Sequence, residues 1–171
     1  MIHRGVALGL IFLLAASSAA AQEPIRIGFL TILTGALASP GKEMENGIRL
    51  FLEEQKNSLG GRPVELTVLD TAGSPAGTLA KARELAEQRK VHVIIGPLAA
   101  FEAYAIAPYV NTQRVPTISP SAAADDLTQR KATQFFVRAT STSSLPTQPF
   151  GTYAAKTLGY KKAATIADDF A

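Results

Sequence analysis

Four short runs of β-branched and large apolar residues recur along this chain with helical patterns between them, at residues 25–31 (IRIGFLT), 64–70 (VELTVLD), 91–95 (VHVII) and 115–118 (VPTI). Runs of this length and content read as strands. The first reads as buried and the third as covered on both faces, whereas the second sets Val64, Leu66 and Val68 against Glu65 and Thr67 and belongs nearer a sheet edge. Between the first two, Met44, Ile48, Phe51 and Leu52 make the apolar stripe of a helix that ends in NSLGG at 57–61. Ser74 and Pro75 open a second helix through about Lys90, with proline where its missing N–H costs nothing. A third spans about 100–113, with a kink or late start expected at Pro108. Strand and helix alternating in this way predict an α/β fold, a doubly wound parallel sheet with right-handed crossovers. In such sheets ligands gather at the carboxyl ends of the strands.

After Ala123 the character changes. Residues 123–147 are polar and irregular around a short extended piece at 134–140 (QFFVRAT), and read as a crossing between lobes. A helix from about Thr147 to Leu158 and a strand at 162–167, ending at Asp168 and Asp169, then begin a further unit. The expected division is therefore a leader at 1–21, a ligand-binding lobe at 22–122, a crossing at 123–147 and the start of a second lobe at 148–171.

The leader is expected because His3 and Arg4 precede an apolar run at 5–16 and small residues ending in Ala19, Ala20 and Ala21, the layout of a cleavable signal peptide. The apolar run is too short to span a bilayer core, which needs about 20 such residues. There is no cysteine, which excludes disulfides, thiolate metal sites and a lipid-modified cysteine. Loss of Arg4 with the leader takes the 17 Lys and Arg to 16, against 14 Asp and Glu. This near balance, without a basic stripe, argues against a nucleic-acid partner.

Candidate site residues lie in three loops. The stretch at 34–42 (TGALASPGK) sits where a phosphate-binding loop would, but five residues separate Gly35 from Gly41 where four are needed. Glu43 also replaces the hydroxyl residue that would hold magnesium. The stretch reads instead as a wall beside a ligand cleft, carrying Ser39 and Pro40, or as a plain connection. The loops at 96–101 (GPLAAF) and 119–123 (SPSAA) follow the third and fourth strands in equivalent places. Each carries backbone N–H groups into the start of a helix, where a carboxylate or another anionic group is favoured. Simple turn chemistry at Gly-Pro and Ser-Pro is the other reading. His92 stands alone where a metal site needs three or four ligands. Asp168 and Asp169, as strand neighbours, point to opposite faces. With His92 the only histidine past the leader, no Ser-His-Asp set is available, and neither a catalytic residue nor a metal ligand is assigned.

Taken in order, IRIGFLTILTG, GIRLFLEEQKNSLGGRPVELTVLDTAGSP, VHVIIGPL, VPTISPSA and LGYKKAATIADD resemble the periplasmic leucine/isoleucine/valine-type solute-binding proteins of ABC importers, the type I binding fold, from about Ile25 to the end of the chain. The resemblance implies two Rossmann-like lobes, three crossing segments, and a small-molecule ligand in the cleft between. Hinge closure would then present the loaded form to an ABC permease in the inner membrane. It further implies a periplasmic protein that is not an enzyme, uses no cofactor and is monomeric at full length.

Family members that bind amino acids use hydroxyl side chains and backbone amides from the loops after the third and fourth strands. By order those positions fall near Ala100 and Ala123, where no hydroxyl is present. Leu98, Ala99, Phe101 and Pro40 suggest an apolar ligand instead, an aromatic or aliphatic carboxylate whose acid group rests on backbone N–H groups. The expected ligand-facing set is Ser39 and Pro40 from the first loop, Leu98, Ala99, Ala100 and Phe101 from the second, and Ser119, Ser121, Ala122 and Ala123 from the third.

Family members run to more than twice this length, so the chain is expected to stop within its second lobe, with apolar surface left uncovered where its sheet ends at the fourth strand. A ligand-sensing domain of a receptor or regulator uses the same fold, and a fragment without a working cleft is a further alternative.

Overall fold

The computed structural model describes residues 22–164 and 166. The leader expected at 1–21 and the pair Asp168 and Asp169 lie outside the described residues. In chain order, β1 (Ile25–Thr31) leads through α1 (Ala38–Glu54) and the two-residue β2 (Ser58–Leu59) to β3 (Arg62–Asp70). Then come α2 (Pro75–Arg83), β4 (Val93–Ile95), α3 (Ala100–Gln113), β5 (Thr117–Ser119), β6 (Phe136–Arg138) and α4 (Ser144–Lys156). The sheet order is β2-β3-β1-β4-β5-β6, parallel throughout except for the β2–β3 hairpin.

The parallel α/β sheet read from the sequence is present, with three differences. NSLGG ends α1 as expected but also forms β2, which folds back on the start of β3 and leaves the rest of that strand at an edge. The extended piece expected within the crossing at 123–147 is β6, a strand of this same sheet paired with β5. The sheet therefore continues past the fourth strand read from the sequence. Finally, no strand forms among the described residues 162–164 and 166.

Alternation along the strands sends side chains to two faces. On one face Leu30 and Ile94 pack with Ala82 of α2, Leu85 of the π-helical turn that extends α2 (Glu84–Gln88), and Ile106 and Val110 of α3. Burying each large side chain there contributes about 1.5–3 kcal/mol. On the opposite face Phe29 and Ile95 look across a hollow of about 270 Å³ to Met44, Ile48 and Phe51 of α1. The expected stripe of α1 is thus only partly covered: Leu52 is buried, but Phe51 remains 49% exposed. The same row of the sheet continues from Ile95 to Ile118 and Val137, beyond the reach of α1, and both are exposed.

Local chemistry sets the helix ends. Ser74 accepts a hydrogen bond from Gly77 N at 3.3 Å, with Pro75 at the first position of α2. Helix α4 starts three residues earlier than its sequence suggested, because Pro146 falls in the first turn, where no intrahelical N–H is needed.

Candidate functional site

Strand β1 has β3 on one side and β4 on the other. The chain leaving β1 enters α1 on one face, while the chain leaving β4 enters α3 on the other. Their carboxyl ends therefore part, and a crevice opens where the winding reverses. Two glycines let the loops approach there. A Cβ at Gly41 would sit 1.7 Å from the Ile32 carbonyl oxygen, so only glycine allows the first turn of α1 to close on the end of β1. Gly96 has φ +112, and a Cβ there would lie 2.1 Å from the Leu30 carbonyl oxygen.

The hollow formed at this point has a volume of about 370 Å³. Pro40 and Leu37 come from the start of α1, Leu98, Ala99 and Ala100 from the loop into α3, and Ser121, Ala122 and Ala123 from the loop after β5. Seven of the ten residues expected to face a ligand are thus gathered around one concavity. The other three are placed differently. Ser39 lies in α1, exposed and outside the lining of the hollow, because the helix begins at Ala38 and swallows most of the expected loop. Phe101 lines a neighbouring hollow of about 180 Å³. Ser119 is fully buried behind the wall.

Ser119 acts as a brace. Its hydroxyl donates to the Pro97 carbonyl at 3.0 Å and accepts from Ala122 N at 3.0 Å, tying the two loops together. Glu102, in the first turn of α3 and fully buried, plays a similar part for the other loop. Its carboxylate accepts from Ala99 N at 3.1 Å, from the Thr78 hydroxyl at 3.0 Å, and from the Thr71 hydroxyl. These bonds consume the amides of Ala99 and Ala122. Among the described residues, no acceptor lies against the amides of Ala100, Ser121 and Ala123.

The sequence reading expected a helix start after each of the two loops. Only the first has one: after 119–123 the chain makes a single 3-10 turn, Asp125–Leu127. The amides there are presented by a turn without a helix dipole of any length behind it.

Leu37, Ala124 and Ser143 also line the hollow and were not among the expected residues. Ser143 comes from the start of the last helix, where its N–H and hydroxyl donate to the Ala123 carbonyl at 2.9 and 3.2 Å. Beside it, the hydroxyl of Ser144 and that of Thr142 hold the Asp125 carboxyl below its ordinary pKa. Asp70, at the end of β3, accepts from Leu33 N at 2.9 Å, Ala72 N at 2.8 Å and the Thr34 hydroxyl at 2.9 Å. Partial burial pushes its pKa up, but these donors outweigh that effect and hold it below the usual value.

A hollow of about 450 Å³ beside the open edge of β6 is a poorer candidate. It lies away from the strand-end crevice, and the Arg138 guanidinium on its wall is already bonded to the Ala124 carbonyl and the Thr128 hydroxyl. His92 is structural: its Nδ1 accepts from Arg26 N at 3.0 Å.

Residues 24–171 match the family described as periplasmic binding protein. The Leu/Ile/Val-binding protein BraC3 of Rhizobium johnstonii is 29% identical over 66% of this chain and 31% of its own length. An ABC transporter substrate-binding protein from Sphaerobacter thermophilus superposes with a TM-score of 0.75 and 35% identity, over 81% of this chain and 38% of that one. A solute-binding protein of an ABC transporter from Rhodopseudomonas palustris BisB5, solved with 3,4-dihydroxybenzoic acid, gives a TM-score of 0.74 and 30% identity, over 78% and 36%. The chain thus spans between three and four tenths of the length of these relatives, and it belongs to the periplasmic binding protein family.

Proposed function

We propose that this chain forms one wall of the ligand cleft of a periplasmic solute-binding protein that serves an ABC importer, and that the solute is a small carboxylate with an aromatic or aliphatic body. The observation that carries this reading is the pairing of an uncharged, largely apolar hollow with the amides of Ala100, Ser121 and Ala123 at its rim. A carboxylate can take those donors, while an apolar body lies on Leu98, Pro40 and Leu37. No charged side chain lines the hollow, so the ammonium of a free amino acid meets no counter-charge on this wall. The dihydroxybenzoate-bound relative agrees with an aromatic acid, and the Leu/Ile/Val-binding relative marks the competing ligand class. In this role the protein binds without chemistry, acts in the periplasm as a monomer at full length, and delivers its cargo to an inner-membrane permease.

An amide-resolved NMR titration of the ¹⁵N-labelled chain with 3,4-dihydroxybenzoate, benzoate and leucine tests this. Either aromatic acid should produce saturable shifts centred on Ala100, Ser121 and Ala123. Leucine shifting the same amides at lower concentration than both acids would overturn the ligand class, and no saturable shift with any of the three would overturn the site.

A further inference from the structure

The hollow just described has a neighbour, and one residue is common to their linings. Leu37 lines both the 370 Å³ hollow and the 180 Å³ hollow beside it. Their floors are continuous, because Leu98 and Ala99 beneath the first and Ile32 beneath the second belong to one buried cluster, with Phe101 packed against it. The backbone on either side of Leu37 is held. Ala38 N donates to the Gly35 carbonyl at 3.2 Å, Gly41 N to the Leu37 carbonyl at 3.3 Å, and Asp70 anchors Leu33 and Thr34 just upstream. The side chain itself is 39% exposed. Leu37 is therefore a side chain standing on a fixed backbone between two spaces with a common rigid floor.

We infer that Leu37 is a specificity-determining partition that sets the length of acid the site accepts, an inference resting on the proposed carboxylate site. An acid bound through Ala100, Ser121 and Ala123 fills the first hollow when its ring is attached directly to the carboxyl group. An acid with a longer arm carries its ring toward Phe101 and the turn at Ala72 and Gly73, and meets Leu37 on the way. Shortening Leu37 joins the two spaces, since a packed floor does not collapse to fill the gap. It also strips contact from the shorter ligand, so the two ligands respond in opposite directions.

The test is the same NMR titration on the 171-residue chain, with benzoate and 3-phenylpropionate as probes, for the parent and for Leu37→Ala and Leu37→Phe. The parent should prefer benzoate. Leu37→Ala should weaken benzoate by about threefold and strengthen 3-phenylpropionate enough to move the affinity ratio by about tenfold, the scale expected for burying one or two further methylene groups. Leu37→Phe should move the ratio the other way. Both acids changing by the same factor in Leu37→Ala, or neither changing, overturns the partition while leaving the carboxylate site intact. Absence of saturable binding by either acid to all three proteins overturns the carboxylate site, and the partition with it.

Discussion

The Ser119 hydroxyl lies 3.0 Å from the Pro97 carbonyl oxygen, and this bond joins the loop after β5 to the loop after β4 beneath the floor of the hollow. Because the same hydroxyl accepts from Ala122 N, one buried side chain sets how far apart the two amide-bearing loops stand. Spacing of donors is what a wall of backbone amides has in place of charged side chains. Ser119→Ala leaves a buried carbonyl and a buried amide without partners, and should cost about 2 kcal/mol in urea denaturation. The NMR shifts that a bound acid produces should weaken at Ser121 and Ala123 more than at Ala100, whose position depends on a different brace.

That other brace is Glu102. Glu102→Ala strands the amide of Ala99 and removes an acceptor from Thr71 and Thr78, while also opening a cavity between α2 and α3. A loss of about 3 kcal/mol is expected. Glu102→Gln keeps an acceptor oxygen and nearly the same volume, so its loss should be less than half as large. Thermal melts of the two variants side by side check the order. Equal losses would mean that the full set of bonds accepted by the carboxylate, and not side-chain volume, is what the position supplies.

Much of this fold was legible because β1, β3 and α2 announce themselves locally. IRIGFLT is a strand by composition alone, and Ser74 with Pro75 is a helix start by chemistry alone. What escaped depends on partners far along the chain. Phe136–Arg138 is only three residues long and becomes a sheet strand because β5 offers it an edge, which no local pattern reports. Ser119 looks like a ligand-facing hydroxyl until the Pro97 carbonyl is found behind it, 22 residues upstream. Ser143 reaches the hollow through bonds to Ala123, 20 residues upstream. Leu37 carried no signal, since a leucine before a helix reads as packing, and its importance comes only from the two spaces it divides.

The sheet face that α1 does not cover makes a separate prediction. Ile118 and Val137 are adjacent across β5 and β6, 39% and 54% exposed, and β6 is an edge strand. An apolar pair at an open edge promotes association between copies. Val137→Lys places a charge on that edge and should leave stability within about 0.5 kcal/mol of the parent, as for other exposed positions. It should also reduce the concentration-dependent growth in scattering. Unchanged scattering would place the sticky surface elsewhere, with α4 and its exposed Leu145, Phe150 and Tyr153 next in line.

Asp70 provides a pH dependence whose sign can be worked out. Its carboxylate is held below the ordinary value when folded, so the folded state binds its proton less readily than the unfolded chain does. Stability from this group is therefore fully present above the unfolded carboxylate pKa of about 4, and is lost as pH falls through the lower folded value. Because Asp70 is partly open to solvent, screening trims the effect, and Asp70→Asn should cost about 1 kcal/mol at neutral pH. The loss is not merely global. Leu33 N and the Thr34 hydroxyl anchor the loop that carries Leu37, so acid or the asparagine variant should loosen that loop before the strands part. Hydrogen-exchange protection at residues 33–37, taken relative to the unfolded chain at each pH from 6 to 3, should fall earlier than protection at Leu30 or Ile94. In Asp70→Asn protection at 33–37 should be low already at neutral pH and nearly flat across that range. A parallel loss of protection at 33–37 and at the two core strands would show that Asp70 stabilises the sheet as a whole and does not specifically hold the rim of the hollow.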